Sequence, residues 1–139
     1  NTELYTGGSW KFISLKYFHS VSDYFSVPHT SGSGYIDLSA NYDLGGGWGI
    51  NGHVGHLNFE NYSNGRSNGD YTDWKLGVTK DISGWVFGAA YVGTNAKGSC
   101  TPNAAGLTQP YCFGNDAPGA TGTKNAGRDT LILSVSRTF

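Results

Sequence analysis

The segment Leu131-Ile132-Leu133-Ser134-Val135-Ser136-Arg137-Thr138-Phe139 alternates large apolar with small polar side chains and stops on an aromatic residue. A strand has a side-chain period of two, so Leu131, Leu133, Val135 and Phe139 share one face while Thr130, Ser134, Ser136 and Thr138 share the other. One face suits lipid and the other water. That is the pattern of a transmembrane barrel strand, apolar outward and polar toward a lumen. Arg137 interrupts the apolar row two residues from the end, where its long stem reaches headgroups.

Working outward from this segment, period-two stretches recur along the chain and no stretch holds a 3.6-residue period. The pattern predicts seven strands, at residues 2–9, 11–24, 34–44, 48–59, 70–81, 85–95 and 129–139. Their connections alternate between tight and long. Tight turns are expected at Ser9-Trp10-Lys11, Gly45-Gly46-Gly47 and Ile82-Ser83-Gly84, and long loops at 25–33, 60–69 and 96–128. Outer-membrane barrels keep short turns on the periplasmic side and long loops outside, so 96–128 is expected to be an extracellular loop of a single domain spanning 1–139. The expectation is an all-β, antiparallel, up-and-down transmembrane barrel. Single-chain bacterial barrels have an even strand count, so seven strands predict further strands ahead of Asn1, in a larger barrel.

Alternation also assigns faces. Ile13, Leu15, Ile36, Leu38, Trp74, Leu76 and Val78 join Leu131, Leu133, Val135 and Phe139 as lipid-facing candidates. Glu3, Lys16, Asp37, Asn41, Asp43, His53, Asp73, Lys75, Thr79, Ser134 and Ser136 are the lumen-lining candidates. The fourth and sixth strands are ambiguous, because Leu57 and Phe59 fall inward if Trp48, Ile50 and Val54 face out. Trp10, Trp48 and Trp85 each lie beside a tight turn, which predicts a belt of interfacial aromatics at one level.

Composition narrows the function classes. Nine basic residues against ten acidic ones leave no electrostatic footprint for nucleic acid. A hydrophobic fraction of 37% with 22 glycines argues against a large dry core and fits a barrel whose interior is polar. No run approaches the roughly 18 apolar residues of a spanning helix, and no basic-then-apolar leader opens the sequence. Methionine is absent, so Asn1 is expected to follow processing, truncation or an incomplete reading. Cys100 and Cys112, twelve positions apart in a Gly-, Pro-, Asn- and Thr-rich segment, read as a disulfide, with two unpaired thiols as the alternative. Closing a loop that short is worth about 3 kcal/mol and requires an oxidising compartment. Two cysteines without a nearby histidine do not complete a zinc site.

The segments Asp73-Trp74-Lys75-Leu76-Gly77-Val78-Thr79-Lys80-Asp81, Ala90-Tyr91-Val92-Gly93-Thr94 and Ser134 to Phe139 resemble the TorF-type porins, a proteobacterial outer-membrane family of unassigned role. Thr2-Glu3-Leu4-Tyr5 and Lys16-Tyr17-Phe18-His19-Ser20 are similar to the middle of such proteins. The resemblance runs in patches over nearly the whole chain and is most specific in the C-terminal third. It implies a barrel with a signal peptide and further strands ahead of Asn1. The cysteine-bearing loop does not match the family pattern, and no catalytic motif is carried over.

A lumen of mixed charge selects solutes by its field, or pairs with itself and plugs the channel. Carboxylates outnumber amines among the inward candidates, which predicts a weak cation preference. His53 and His56, three apart, point to opposite faces and do not form a metal pair. No serine sits in a recognisable hydrolase setting, and Gly45-Gly46-Gly47 precedes no helix that would make it a phosphate loop. The loop from Asn58 to Asp70 carries calcium-like oxygens without the spacing of a calcium loop, so it reads as a turn. No enzyme activity, metal or cofactor is expected.

Three hypotheses remain. The first is a passive outer-membrane pore for small polar solutes, inserted by the barrel-assembly machinery through the strand ending at Phe139. The second is a plugged structural or receptor barrel whose long loops bind a partner. The third is a soluble secreted β-sandwich that binds carbohydrate through exposed Trp and Tyr.

Overall fold

The structure, a computed structural model, describes residues 1–114 and 122–137. Seven long strands form one antiparallel sheet: β1 (Glu3–Trp10), β2 (Ile13–Ser20), β3 (Gly34–Gly45), β4 (Trp48–Asn58), β5 (Tyr71–Ile82), β6 (Trp85–Thr94) and β9 (Thr130–Arg137). Two three-residue strands, β7 (Cys112–Gly114) and β8 (Thr123–Asn125), pair as a separate ribbon inside the segment expected to be one long loop. Sheet order follows chain order with β1 and β9 as the two edges, so the sheet is open and not closed into a barrel. Thr138 and Phe139, placed in the terminal strand by their alternation, lie outside the described residues.

Observed strand ends fall within one or two residues of the predicted ones except in β2, which stops at Ser20 instead of residue 24. There the Ser20 hydroxyl donates to the Ser22 carbonyl at 2.7 Å, and a single 3-10 turn at Tyr24–Ser26 follows, with positive φ at Phe25 (48°) and Ser26 (62°). The first tight turn also differs. It falls at Lys11-Phe12, because Trp10 stays in register opposite Ile13 and Lys11 takes the positive φ (53°) that the reversal needs. Ser83 and Gly84 both have positive φ (53° and 84°), the twist that matches a two-residue hairpin to its strands.

Residues directly opposite in an antiparallel pair share a face, so the register sorts every side chain. Leu15, Leu38, Val54 and Trp74 form one continuous cross-strand row, and Val78, Ala89 and Leu133 continue that face to β9. The other face carries Lys16, Asp37, Gly55 and Asp73 in one row, and Ser39, His53 and Lys75 in the next. The ambiguity in the fourth and sixth strands resolves in favour of Trp48, Ile50 and Val54, and of Trp85, Phe87, Ala89 and Tyr91, on the apolar face.

The apolar face is bare. Leu133 is 74% exposed, Leu76 63%, Leu38 44% and Trp74 37%, whereas among the described residues the buried apolar side chain is Leu57, on the polar face. Covering a leucine-sized side chain gains roughly 1.5–3 kcal/mol, a gain that this face does not take up within the sheet. The sheet bends toward its polar side. β1 and β5 are four strands apart, about 19 Å if flat, yet Glu3 and Tyr71 line one cavity on that side.

Candidate functional site

The polar face converges on His53. Along β3 the period of two delivers Tyr35, Asp37 and Ser39 to this face. β4 sets His53 opposite Ser39, and β5 sets Asp73 opposite Gly55. Gly55 is what allows Tyr35 to cross β4, since a Cβ there would meet the Tyr35 hydroxyl and ring. The Tyr35 hydroxyl donates to Asp73 Oδ1 at 2.8 Å and lies 3.1 Å from His53 Nε2. His53 Nε2 is 2.8 Å from Asp73 Oδ2, and its Nδ1 is 3.1 Å from Asp37 Oδ2. Ser39 Oγ donates to Asp37 Oδ1 at 2.7 Å and is 3.3 Å from His53 Nδ1.

Ser39, His53 and Asp73 have the residue types of a hydrolytic triad, but the Ser39 hydroxyl hydrogen is directed at Asp37, the shorter contact. The cluster ties β3, β4 and β5 together through His53, with Lys75 beside it on the same face.

At the long-loop end the loops touch one another and the strand ends. Tyr24 packs edge-on to Phe59 (centroids 5.3 Å), Phe59 stacks on Tyr62 (4.4 Å), and Tyr71 meets Tyr111 edge-on (5.5 Å). Thr30 is fully buried, its hydroxyl accepting from the Tyr24 N–H at 2.8 Å and donating to the Val27 carbonyl at 2.7 Å. Arg66 Nη1 donates to the carbonyls of Thr101 (2.6 Å) and Leu107 (3.0 Å), and Lys97 Nζ donates to Asn68 Oδ1 at 2.8 Å. The Tyr111 hydroxyl donates to the Gly69 carbonyl, and burial, more than its tyrosine neighbours, pushes that phenol above its ordinary pKa. Cys100 and Cys112 form a disulfide with Cα atoms 5.2 Å apart.

The tight-turn end is built differently. Each of its three tryptophans, all on the apolar face, carries a cation over its ring: Lys11 on Trp10 (4.5 Å), Lys80 on Trp48 (4.9 Å) and Arg137 on Trp85 (4.9 Å).

A family model described as a bacterial protein of unknown function (Gcw_chp) matches residues 1–139. The chain belongs to this family. No curated protein and no solved structure matches it.

In this Gcw_chp chain, the eleven polar residues singled out from sequence, Glu3, Lys16, Asp37, Asn41, Asp43, His53, Asp73, Lys75, Thr79, Ser134 and Ser136, all fall on one face. Ile13, Leu15, Ile36, Leu38, Trp74, Leu76, Val78, Leu131, Leu133 and Val135 all fall on the other. Only Asp37, His53 and Asp73 of the polar set are joined by direct side-chain contacts to one another. His56 lies on the apolar face, 2.9 Å from the Thr72 hydroxyl. Among the described residues, no three His, Cys, Asp or Glu side chains converge on a metal position. Alternation puts Tyr35 on the inward row of the third strand but does not single it out, because its reach depends on a glycine in the neighbouring strand. It also treated Arg137 as a break in the apolar row, where the ring of Trp85 gives it a seat.

Proposed function

We propose that this chain forms part of the wall of a bacterial outer-membrane β-barrel and acts as a passive pore for small polar solutes. The observation that carries the reading is the sorting of seven strands into a bare apolar face and a polar, hydrogen-bonded one. A soluble sandwich would cover its apolar face with a second sheet, and side chains such as Leu131 (65% exposed) and Leu133 are uncovered. In the barrel, the apolar row meets hydrocarbon, Trp10, Trp48 and Trp85 sit at the periplasmic interface, and the His53 face lines the lumen. Further strands pair with the free edges of β1 and β9 to close the wall, since lipid tolerates no open edge. The resemblance to TorF-type porins supports the same architecture, with the barrel-assembly machinery engaging the terminal strand.

The test is single-channel recording in planar bilayers, with gel migration of heated and unheated samples as a check of folding. Discrete conductance steps with a modest preference for cations are expected. A folded, heat-modifiable protein that gives no steps removes the pore. A second reading, a non-conducting barrel, is favoured by the Asp37–His53–Asp73 cluster tied across three strands. It predicts steps only after His53→Ala.

A further inference from the structure

A cavity of about 330 Å³ opens on the polar face near the long-loop end, lined by Glu3, Phe18, Tyr24, Tyr35, Asp37 and Tyr71. Four of these six side chains are aromatic, two are carboxylates and none is basic. We propose that this cavity binds an organic ammonium cation, a quaternary or primary amine head group.

The aromatic rings are not scattered. Tyr5, Phe18, Tyr35, Leu57 and Tyr71 are successive cross-strand partners from β1 to β5, forming a single row on the polar face. Ring centroids lie 5.7 Å apart for Tyr5 and Phe18, and 6.4 Å apart for Phe18 and Tyr35. The negative face of an aromatic ring attracts a cation within about 6 Å, more strongly where water is excluded. Glu3 on β1 adds a carboxylate at one wall of this space, and Asp37 on β3, already paired with His53 and Ser39, adds a second at another. The field there is felt by Tyr24, whose phenol is pushed above its ordinary pKa first by burial and then by the Glu3 carboxylate.

Neighbouring bases do not fill the cavity. Lys16 faces Asp37 across β2 and β3, but its stem lies over Gly7 on β1, with Cγ 2.9 Å from where a Cβ of residue 7 would be. Lys75 belongs to the row of Ser39 and His53, farther toward the turns. A small inorganic cation is drawn to the same rings but holds its hydration shell tightly, whereas a weakly hydrated alkylammonium meets carboxylates and rings directly. That difference selects the ligand class.

The inference rests on the polar face being a solute-contacting wall, and it is tested by binding, independently of conductance. The detergent-folded full-length protein that carries this chain is titrated with choline chloride by calorimetry, with sodium chloride at equal ionic strength and glucose as comparison ligands. Saturable choline binding is expected, absent with sodium and glucose. Tyr71→Leu weakens it roughly threefold to tenfold, and Glu3→Gln weakens it about threefold, less so at high salt. If Tyr71→Leu fails to give the heat-modifiable form, Tyr24→Leu, in the loop, removes a ring without touching the sheet. Choline binding no better than sodium, binding unchanged in Glu3→Gln and the ring variant, or saturation by glucose instead overturns the proposal. Choline binding without conductance steps removes the pore and keeps this site. Steps without choline binding do the reverse.

Discussion

On β4, Gly52 and Gly55 stand three residues apart and on opposite faces of the sheet. A Cβ at Gly52 would meet only the Lys75 carbonyl oxygen, at 3.7 Å, whereas one at Gly55 would collide with Tyr35. Along the middle and turn end of the strands the same split separates Gly8, with open space around it, from Gly7, Gly49, Gly77 and Gly88, where neighbouring atoms lie within 3 Å, whereas at the long-loop end Gly34 and Gly93 of the apolar face are crowded too, by Tyr17 and Trp74. The polar face is thus the packed one, filled by side chains that lean over glycines and hydrogen-bond across strands. The apolar face is the empty one. In a water-soluble domain these roles are reversed, and the reversal is what the proposed barrel wall requires.

The sharpest way to break this comparison is to place a charge on each face. In the barrel reading, Leu133→Arg costs about 2–4 kcal/mol near the membrane midplane, while Ser136→Lys on the polar face stays within about 0.5 kcal/mol. Urea unfolding in lipid vesicles, followed by tryptophan fluorescence, measures both, and equal costs would mean the faces are equivalent. Next, Gly55→Ala is expected to destabilise by about 1–3 kcal/mol through overpacking against Tyr35. Gly52→Ala is expected to be neutral within about 0.5 kcal/mol. A smaller effect follows from His53→Ala, about 1 kcal/mol for leaving Asp37 and Asp73 without their shared partner at a half-buried site. Combining it with Asp73→Asn should recover part of that loss, and strict additivity in the double-mutant cycle would show that the contacts carry no coupling. The smallest is at the turn end, where Lys80→Gln costs about 0.5–1 kcal/mol through its contact with Trp48. The loss should grow in vesicles rich in anionic lipid.

Much of the sheet was legible because a strand's alternation is written locally. Ile36 to Leu44 and Trp74 to Val78 each show which side is apolar without reference to any neighbour, and Gly45-Gly46-Gly47 and Ser83-Gly84 mark reversals by their conformational needs. What stayed hidden depends on register, which lies between strands. Nothing in the sequence near Tyr35 says that residue 55, across the ladder, is a glycine, or that Asp73 waits beyond it. The aromatic row from Tyr5 to Tyr71 is spread over more than sixty positions and aligns only once five strands are in place. The turn at Lys11-Phe12 misled because Lys11 adopts a backbone conformation usually left to glycine or asparagine. The β7–β8 ribbon is too short to leave a periodic signal.

The Cys100–Cys112 bond encloses a stretch whose residues 101–107 are all exposed. A protease that nicks the chain there leaves two fragments still joined through sulfur, so the cut molecule migrates intact until a thiol reductant separates them. Trypsin-like enzymes find no lysine or arginine inside the ring, whereas broad-specificity enzymes do cut there. Digestion of sealed proteoliposomes from outside, compared with and without reductant, therefore reports which compartment this segment faces.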